Sequence, residues 1–192
     1  ERVIVMGHKV TDIDSLGASV GVCRAALQAG KHAHIVLGEI NSGIRPWVNA
    51  LQASGDYEEN YILTHDQAIE LTNQNTVVVV VDTNRPSMAE CSELLERTKT
   101  IVVMDHHRQS EEKIENAALS YIEPSASSAC EMIAEILQYY DDDIKLKVNE
   151  ADCIYAGIIV DTNNFVAKTG MRTFAAAAFL RSHGADVTRV RK

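Results

Sequence analysis

The chain has 192 residues, 46% of them hydrophobic and 23% charged, and a net charge of −9. That fits an ordinary globular domain or a small pair; no apolar run approaches the roughly 18 residues of a membrane span, and ERVIVM runs straight into a strand with no visible leader. The acidic balance excludes long duplex nucleic acid as a partner, because neutralising phosphates needs a basic surface, but a short phosphate ester stays open if bound cations supply positive charge locally.

In chain order, VIVM (3–6) reads as a first strand and Asp14 to Ala29 as a helix, with Leu16, Val20, Cys23 and Leu27 on one stripe and Gly30 as its stop. Gly17, Ala18 and Gly21 are expected to let that helix lie close to a sheet. HIVL (34–37) is a second strand, and residues 44–53 are a short helix with Pro46 in its first turn. Thr64-His65-Asp66-Gln67 matches a capping box opening a helix to about Asn73, and Ser87-Met88-Ala89-Glu90 matches another, opening a helix to about Arg97. Between them TVVVVV (76–81) is an uninterrupted apolar run, as in a central strand covered on both faces. TIVVM (100–104) is a further buried strand and SYIE (120–123) a weaker one. Ser127 or Ser128 caps a helix to Tyr140; residues 150–160 and 173–183 are helical, with Gly184 as a stop and Asp186 opening one more. Alternating strands and helices predict an α/β fold, a mostly parallel sheet flanked by helices on both faces. Cys23, Cys91, Cys130 and Cys153 form no C-x-x-C pair and read as reduced, buried thiols of a cytosolic protein. His32 and His34 share a strand face and read as exposed edge residues, His183 as a helix-end residue, and Trp47 and Met132 as core.

Three strands end in acids and imidazoles where turn residues would suffice. VIVM runs into GHKVTDID (7–14), VVVVV into Asp82-Thr83-Asn84, and IVVM into Asp105-His106-His107; the 150–160 helix likewise runs into Asp161-Thr162-Asn163. In an open parallel sheet the carboxyl ends of adjacent strands share one edge, where ligands bind. Each carboxylate pair held at about 4 Å would repel by roughly 1 kcal/mol in water and about 4 kcal/mol at an effective dielectric of 20. Asp12 and Asp14 could each be a cap or turn residue on its own, but the four clusters together call for compensating cations. Taking His8, Asp12, Asp14, Asp82, His106 and Asp161 as ligands, four carboxylates balance two divalent ions, and a carboxylate-rich set with imidazole suits manganese. Mg²⁺, Co²⁺ and Fe²⁺ remain alternatives, and two such ions form the usual clamp for phosphoryl chemistry.

The series HKVTDID at 8–14, Asp82, DHH at 105–107 and Asp161 resembles the DHH family of phosphoesterases over nearly the whole chain. The resemblance implies that His8, Asp12 and Asp82 hold one manganese and that Asp14, Asp82, His106 and Asp161 hold the other, with Asp82 bridging. It places His107 near substrate phosphate. Residues 125–140 and 162–186 resemble, more narrowly, the bacterial membrane-anchored cyclic-di-AMP phosphodiesterases. That implies hydrolysis of cyclic-di-AMP to linear pApA by a cytoplasmic domain of a parent anchored in the bacterial membrane, with no membrane contact by this domain itself and a homodimer of the parent left open. The expected division is a DHH catalytic domain over 1–185 and, over 186–192, the start of a linker helix to a C-terminal nucleotide-binding domain not contained in this sequence.

On this reading Asp82, Asp105 and His107 are the catalytic residues, with His107 gripping phosphate or protonating the leaving oxygen and Asp105 fixing an imidazole. Lys168 and Arg172 are the candidate phosphate-binding cations; Ser127 and Ser128, at a helix N-terminus, are anion-binding candidates that capping also explains. The alternatives are a short-oligonucleotide or pyrophosphate hydrolase of the same superfamily and a non-catalytic nucleotide or metal sensor.

Overall fold

The computed structural model describes residues 1–191; the last residue of the expected linker start, Lys192, lies outside the described residues. Strands β1 (Arg2–Met6), β2 (His32–Val36), β3 (Ile62–Leu63), β4 (Val77–Val81), β5 (Thr100–Asp105) and β6 (Leu119–Ile122) form one sheet in the order β3-β2-β1-β4-β5-β6. Every pairing is parallel. The order reverses between β1 and β4, which makes that boundary the switch point where a doubly wound sheet opens a crevice. β3 has two residues, too few for a periodic signal in sequence.

Strand side chains alternate between two cores. Val5, Val79 and Val81 face one, and Ile4, Met6, Val78, Val80, Ile101 and Val103 the other. The first core is covered by α1 (Ile13–Gln28), α2 (Arg45–Ala53), α5 (Ala129–Tyr140), α6 (Val148–Asp161) and α7 (Met171–Ser182); the second lies under α3 (His65–Leu71) and α4 (Leu94–Arg97). A last turn, α8 (Val187–Val190), is capped by Asp186 and tied to α6, where buried Asp152 accepts from Asp186 N at 2.8 Å and pairs with Arg189 at 2.7 Å. Among the described residues no helix is long and apolar enough to cross a membrane.

Helix α1 meets the sheet on one side and α5 and α6 on the other, so it is buried nearly all round. Its glycines serve the helix side, not the sheet side expected of them. A Cβ on Gly17 would stand 2.7 Å from Cys130 Sγ and 2.7 Å from the Cys153 carbonyl oxygen, and one on Gly21 would stand 2.4 Å from Ile133 Cγ2. The Thr64 capping box forms as its sequence demands: Thr64 Oγ1 accepts from Gln67 N, and Gln67 Oε1 from Thr64 N.

The Ser87–Glu90 box does not form. Residues Pro86–Met88 make one 3-10 turn, Ala89 is extended and bridges His8, and a helix resumes only at Leu94. The Glu90 backbone is taken by Gly7, whose carbonyl accepts from Glu90 N at 2.8 Å, and the Glu90 side chain is taken by other segments. His34 also departs from expectation. β2 is an interior strand and His34 is buried, pairing with the Arg2 guanidinium and, through Nδ1, with the Asn60 carbonyl oxygen at 2.7 Å, while His32 is exposed. All four cysteines are buried free thiols, and Met132 is core while Trp47 is only partly covered.

Candidate metal centre

The carboxyl ends of β1, β4 and β5 lie side by side and project three polar segments over the switch point. Asp82 follows β4 at a φ of 60°, a left-handed conformation disfavoured for a non-glycine residue, which turns its carboxylate into the crevice. Asp12 caps α1 by accepting from Ser15 N at 2.9 Å; Asp14 is therefore not the cap but sits inside the first turn, 1% exposed. The N-terminus of α5 holds Asp14 from behind, with Ala129 N donating to one oxygen and Cys130 N to the other, each at 2.8 Å. Asp161 is the last residue of α6, the end at which the helix dipole disfavours a carboxylate.

Three sets of side chains are close enough to share an ion: His8, Asp12 and Asp82; Asp14, His106 and Asp161; and Asp82, Asp105, His106 and His107. Asp82 links the first to His106 of the second. His8 Nε2 stands 3.2 Å from Asp82 Oδ2 and 3.5 Å from Asp12 Oδ2. His106 Nε2 stands 3.2 Å from Asp82 Oδ1 and 3.6 Å from both Asp14 Oδ2 and Asp161 Oδ2. The two Asp82 oxygens thus face different imidazoles. Asp82 Oδ1 and His106 Nε2 are buried and, although 3.2 Å apart, are not aligned to hydrogen-bond; both lack any partner. Orphaned buried atoms of this kind are rare, and one acceptor set converging on another is the donor chemistry of a cation site. The residues present therefore fit divalent cations.

The protonation pattern agrees. Hydrogen bonds to Asp12 and Asp82 lift His8 to about 11. Burial pulls His106 down, but Asp82, Asp14 and Asp161 outweigh it and bring it to about 9. Burial, then repulsion from Asp82 and Asp161, raises Asp14 well above the carboxylate range, and burial with Asp82 raises Asp161. Burial also pushes Asp82 upward, yet His106 and His8 hold it low. Without cations, the cluster relieves its repulsion with protons; a cation would displace them.

A cleft of about 420 Å³ opens over the cluster, lined among others by Thr83, Asn84, Arg85, Met88 and His107. Asp105 is fully buried. It accepts from His107 N at 3.1 Å and Asn84 Nδ2 at 2.6 Å, and its Oδ1 lies 2.7 Å from His107 Nδ1. That contact raises the His107 pKa. Asn84 belongs to the same strand-end triplet as Asp82, a signal visible in sequence, whereas Glu90 reads in sequence only as part of a capping box.

Apart from His107, the expected phosphate-binding residues do not line the cleft, although the charge of Lys168 reaches Asp161. Arg172 donates to Glu135 Oε2 at 2.8 Å, lies 3.6 Å from Glu123 and reaches the Tyr121 hydroxyl at 3.3 Å, so acids already occupy its guanidinium. Lys168 is exposed, with a φ of 53°, and does not line the cleft. Ser128 caps α5 and Ser127 bonds buried Glu131, so both hydroxyls are used in the turn that supports Asp14.

Residues 2–158 match the family model described as "DHH family, N-terminal domain". The chain is 41% identical over its full length to the Cyclic-di-AMP phosphodiesterase GdpP of Bacillus subtilis, of which it spans 29%. It is 24% identical over 97% of its length to the Bifunctional oligoribonuclease and PAP phosphatase NrnA of Mycoplasma genitalium, spanning 55% of that protein. The crystal structure of an exopolyphosphatase-related protein from Bacteroides fragilis superposes with a TM-score of 0.79 at 22% identity, over 99% of this chain and 54% of the other, a likeness of fold.

Proposed function

Because the chain belongs to the DHH family, we propose that it is the metal-dependent catalytic domain of a phosphodiesterase that hydrolyses cyclic-di-AMP to linear pApA. The observation that carries this is Asp82 standing between the His8 and Asp12 side chains and the Asp14, His106 and Asp161 group, with its two oxygens turned to two imidazoles. The likeness to GdpP supports the substrate, and that to NrnA supports short oligonucleotides as a second reading, at lower identity.

His8, Asp12 and Asp82 would hold one cation, and Asp14, Asp82, His106 and Asp161 the other, with manganese the best match to the donor set. When bound, such a pair supplies Lewis acidity toward phosphate oxygens and lowers the pKa of water. The chain's own residues do the rest. Asp105 fixes the His107 ring, favours a proton at Nδ1 and stabilises the imidazolium, which leaves Nε2 to donate to a phosphate oxygen or to the departing ribose oxygen. Asn84 holds the other Asp105 oxygen, so the His107 ring is oriented from two residues away. Arg85 also lines the cleft, beside Asn84.

The test is turnover of cyclic-di-AMP, pApA and pyrophosphate by the longer parent protein with added manganese. Release of pApA from cyclic-di-AMP, lost on chelation, is expected. Hydrolysis of pyrophosphate alone would refute the substrate assignment, and metal-independent turnover would refute the mechanism.

A further inference from the structure

Glu90 is 6% exposed, closes the failed capping box, and reaches three segments with one carboxylate. Its Oε2 accepts from Thr11 Oγ1 at 3.1 Å, and its Oε1 accepts from Gly38 N at 3.2 Å and lies 2.7 Å from His65 Nε2. Gly38 follows β2 and His65 opens α3, so two fixed elements hold the carboxylate from one side while Thr11 hangs from the other. Thr11 lies between His8 and Asp12, in a loop whose apex, Val10, is 76% exposed with a φ of 57°. A loop with such an apex does not keep its shape unaided. Its other ties are backbone contacts of Lys9 with Met88 and of Gly7 with Glu90, Asn41 Nδ2 donating to the Thr11 carbonyl at 2.8 Å, the Asp12 cap on α1, and contacts within the loop from His8 Nδ1 to the Lys9 carbonyl and from Thr11 Oγ1 to the His8 carbonyl; among these the Glu90 carboxylate is the buried side-chain anchor from outside the loop. The other ligand group needs no such clamp. Asp14 is helical and receives two α5 amides, and His106 is 9% exposed directly after β5.

We propose that Glu90 is a positioning residue that holds the His8–Asp12 loop in ligating shape through Thr11, so that the His8, Asp12 and Asp82 group depends on it and the Asp14, His106 and Asp161 group does not. The inference rests on the metal-centre reading given above, and its test separates the two. Manganese(II) is titrated into this chain and followed by calorimetry, with free ion counted by electron paramagnetic resonance, for the unaltered protein, Glu90→Gln and Thr11→Val. Thr11→Val is close in shape and removes the hydroxyl, which also lies 3.3 Å from the His8 carbonyl oxygen inside the loop, whereas Glu90→Gln leaves that inner contact in place; weakening in both variants therefore assigns the effect to Glu90, and Thr11→Val decides whether the loop needs the hydroxyl at all should Glu90→Gln fail to fold. The expected result is two ions on the unaltered chain and, in both variants, one ion bound as before with the second weakened about 10–100-fold, the usual effect of removing support behind a ligand. Two ions bound at unaltered affinity by Thr11→Val, or both ions weakened alike, overturns the proposal. An unaltered chain that binds no manganese overturns the metal centre itself and the clamp with it.

Discussion

Gly157 lies inside α6 where that helix crosses Asp14, and replacing it with Ala probes how tightly the fold is drawn in behind the centre. An ideal Cβ there would stand 2.4 Å from Cys130 Sγ, 2.9 Å from Asp14 Cα and 3.0 Å from Asp14 Oδ1. The intrinsic helix preference of Ala over Gly favours the variant by about 1 kcal/mol. Overpacking opposes it by about 1–3 kcal/mol. The thiol can rotate away, but Asp14 Cα is backbone, so the two helices must part, and the upper half of that range applies. The net expectation is a loss of about 1–2 kcal/mol, which for a domain of this size lowers the melting temperature by roughly 2–8 °C. Thermal melting followed by circular dichroism in the presence of a chelator measures it without contribution from metal. Manganese titration of the same variant should show weaker binding at the Asp14 group. A melting temperature equal to or above that of the unaltered chain would refute the claim that α1 and α6 touch too closely for a methyl group.

Arg24→Met should be more severe, because Glu150 is fully buried and takes its Nε and Nη2 groups at 2.7–3.0 Å, with only the Tyr57 hydroxyl and Lys147 N left to it; a loss of about 3–5 kcal/mol in urea unfolding is expected, and a loss below about 1 kcal/mol would contradict the burial of that charge. Asp82→Asn should abolish binding of both ions, since its two oxygens face the imidazoles of both groups; retention of one ion at full affinity would show that it is not shared. The metal-free chain should lose stability as pH rises. His8 and His106 stand at about 11 and about 9 against 6.5 unfolded, so their contribution is complete below 6.5 and disappears through those values, and raised Asp14 and Asp161 act in the same sense from 3.8 upward. In chelator, the urea midpoint should fall between pH 6.5 and 9, and a midpoint that climbs over that interval would overturn the assignment of protons to the cluster.

Local chemistry was legible wherever it was also decisive. The apolar run before Asp82 could only be a covered strand, and the Thr64 box forms because nothing competes for its backbone. Ser87 to Glu90 carries the same pattern and fails because Gly7, His8 and Lys9, some eighty positions earlier, claim that backbone. The small face of α1 was visible, but its partner was not, since α6 lies more than a hundred residues away in sequence. His34 looked like an edge residue because β3 is too short to announce itself. At the centre, the strand-end acids and histidines stand out as residues that turns do not need. Glu90 does not, because its partners Thr11, Gly38 and His65 are distributed over separate segments. The occupation of Arg172 by Glu135 and Glu123 is likewise a long-range matter that no spacing announces.

The ligand groups draw on positions from His8 to Asp161, which gives the centre a temporal character. On a ribosome adding about 5–20 residues per second, the first imidazole waits roughly 8–30 s for the last carboxylate to be made. During that interval β1 must also wait for β4 before the crevice exists, as parallel neighbours so far apart join slowly. On the proposed metal reading, a nascent chain would offer scavenging transition metals only scattered, weak donors, and selective loading would be a property of the finished domain alone.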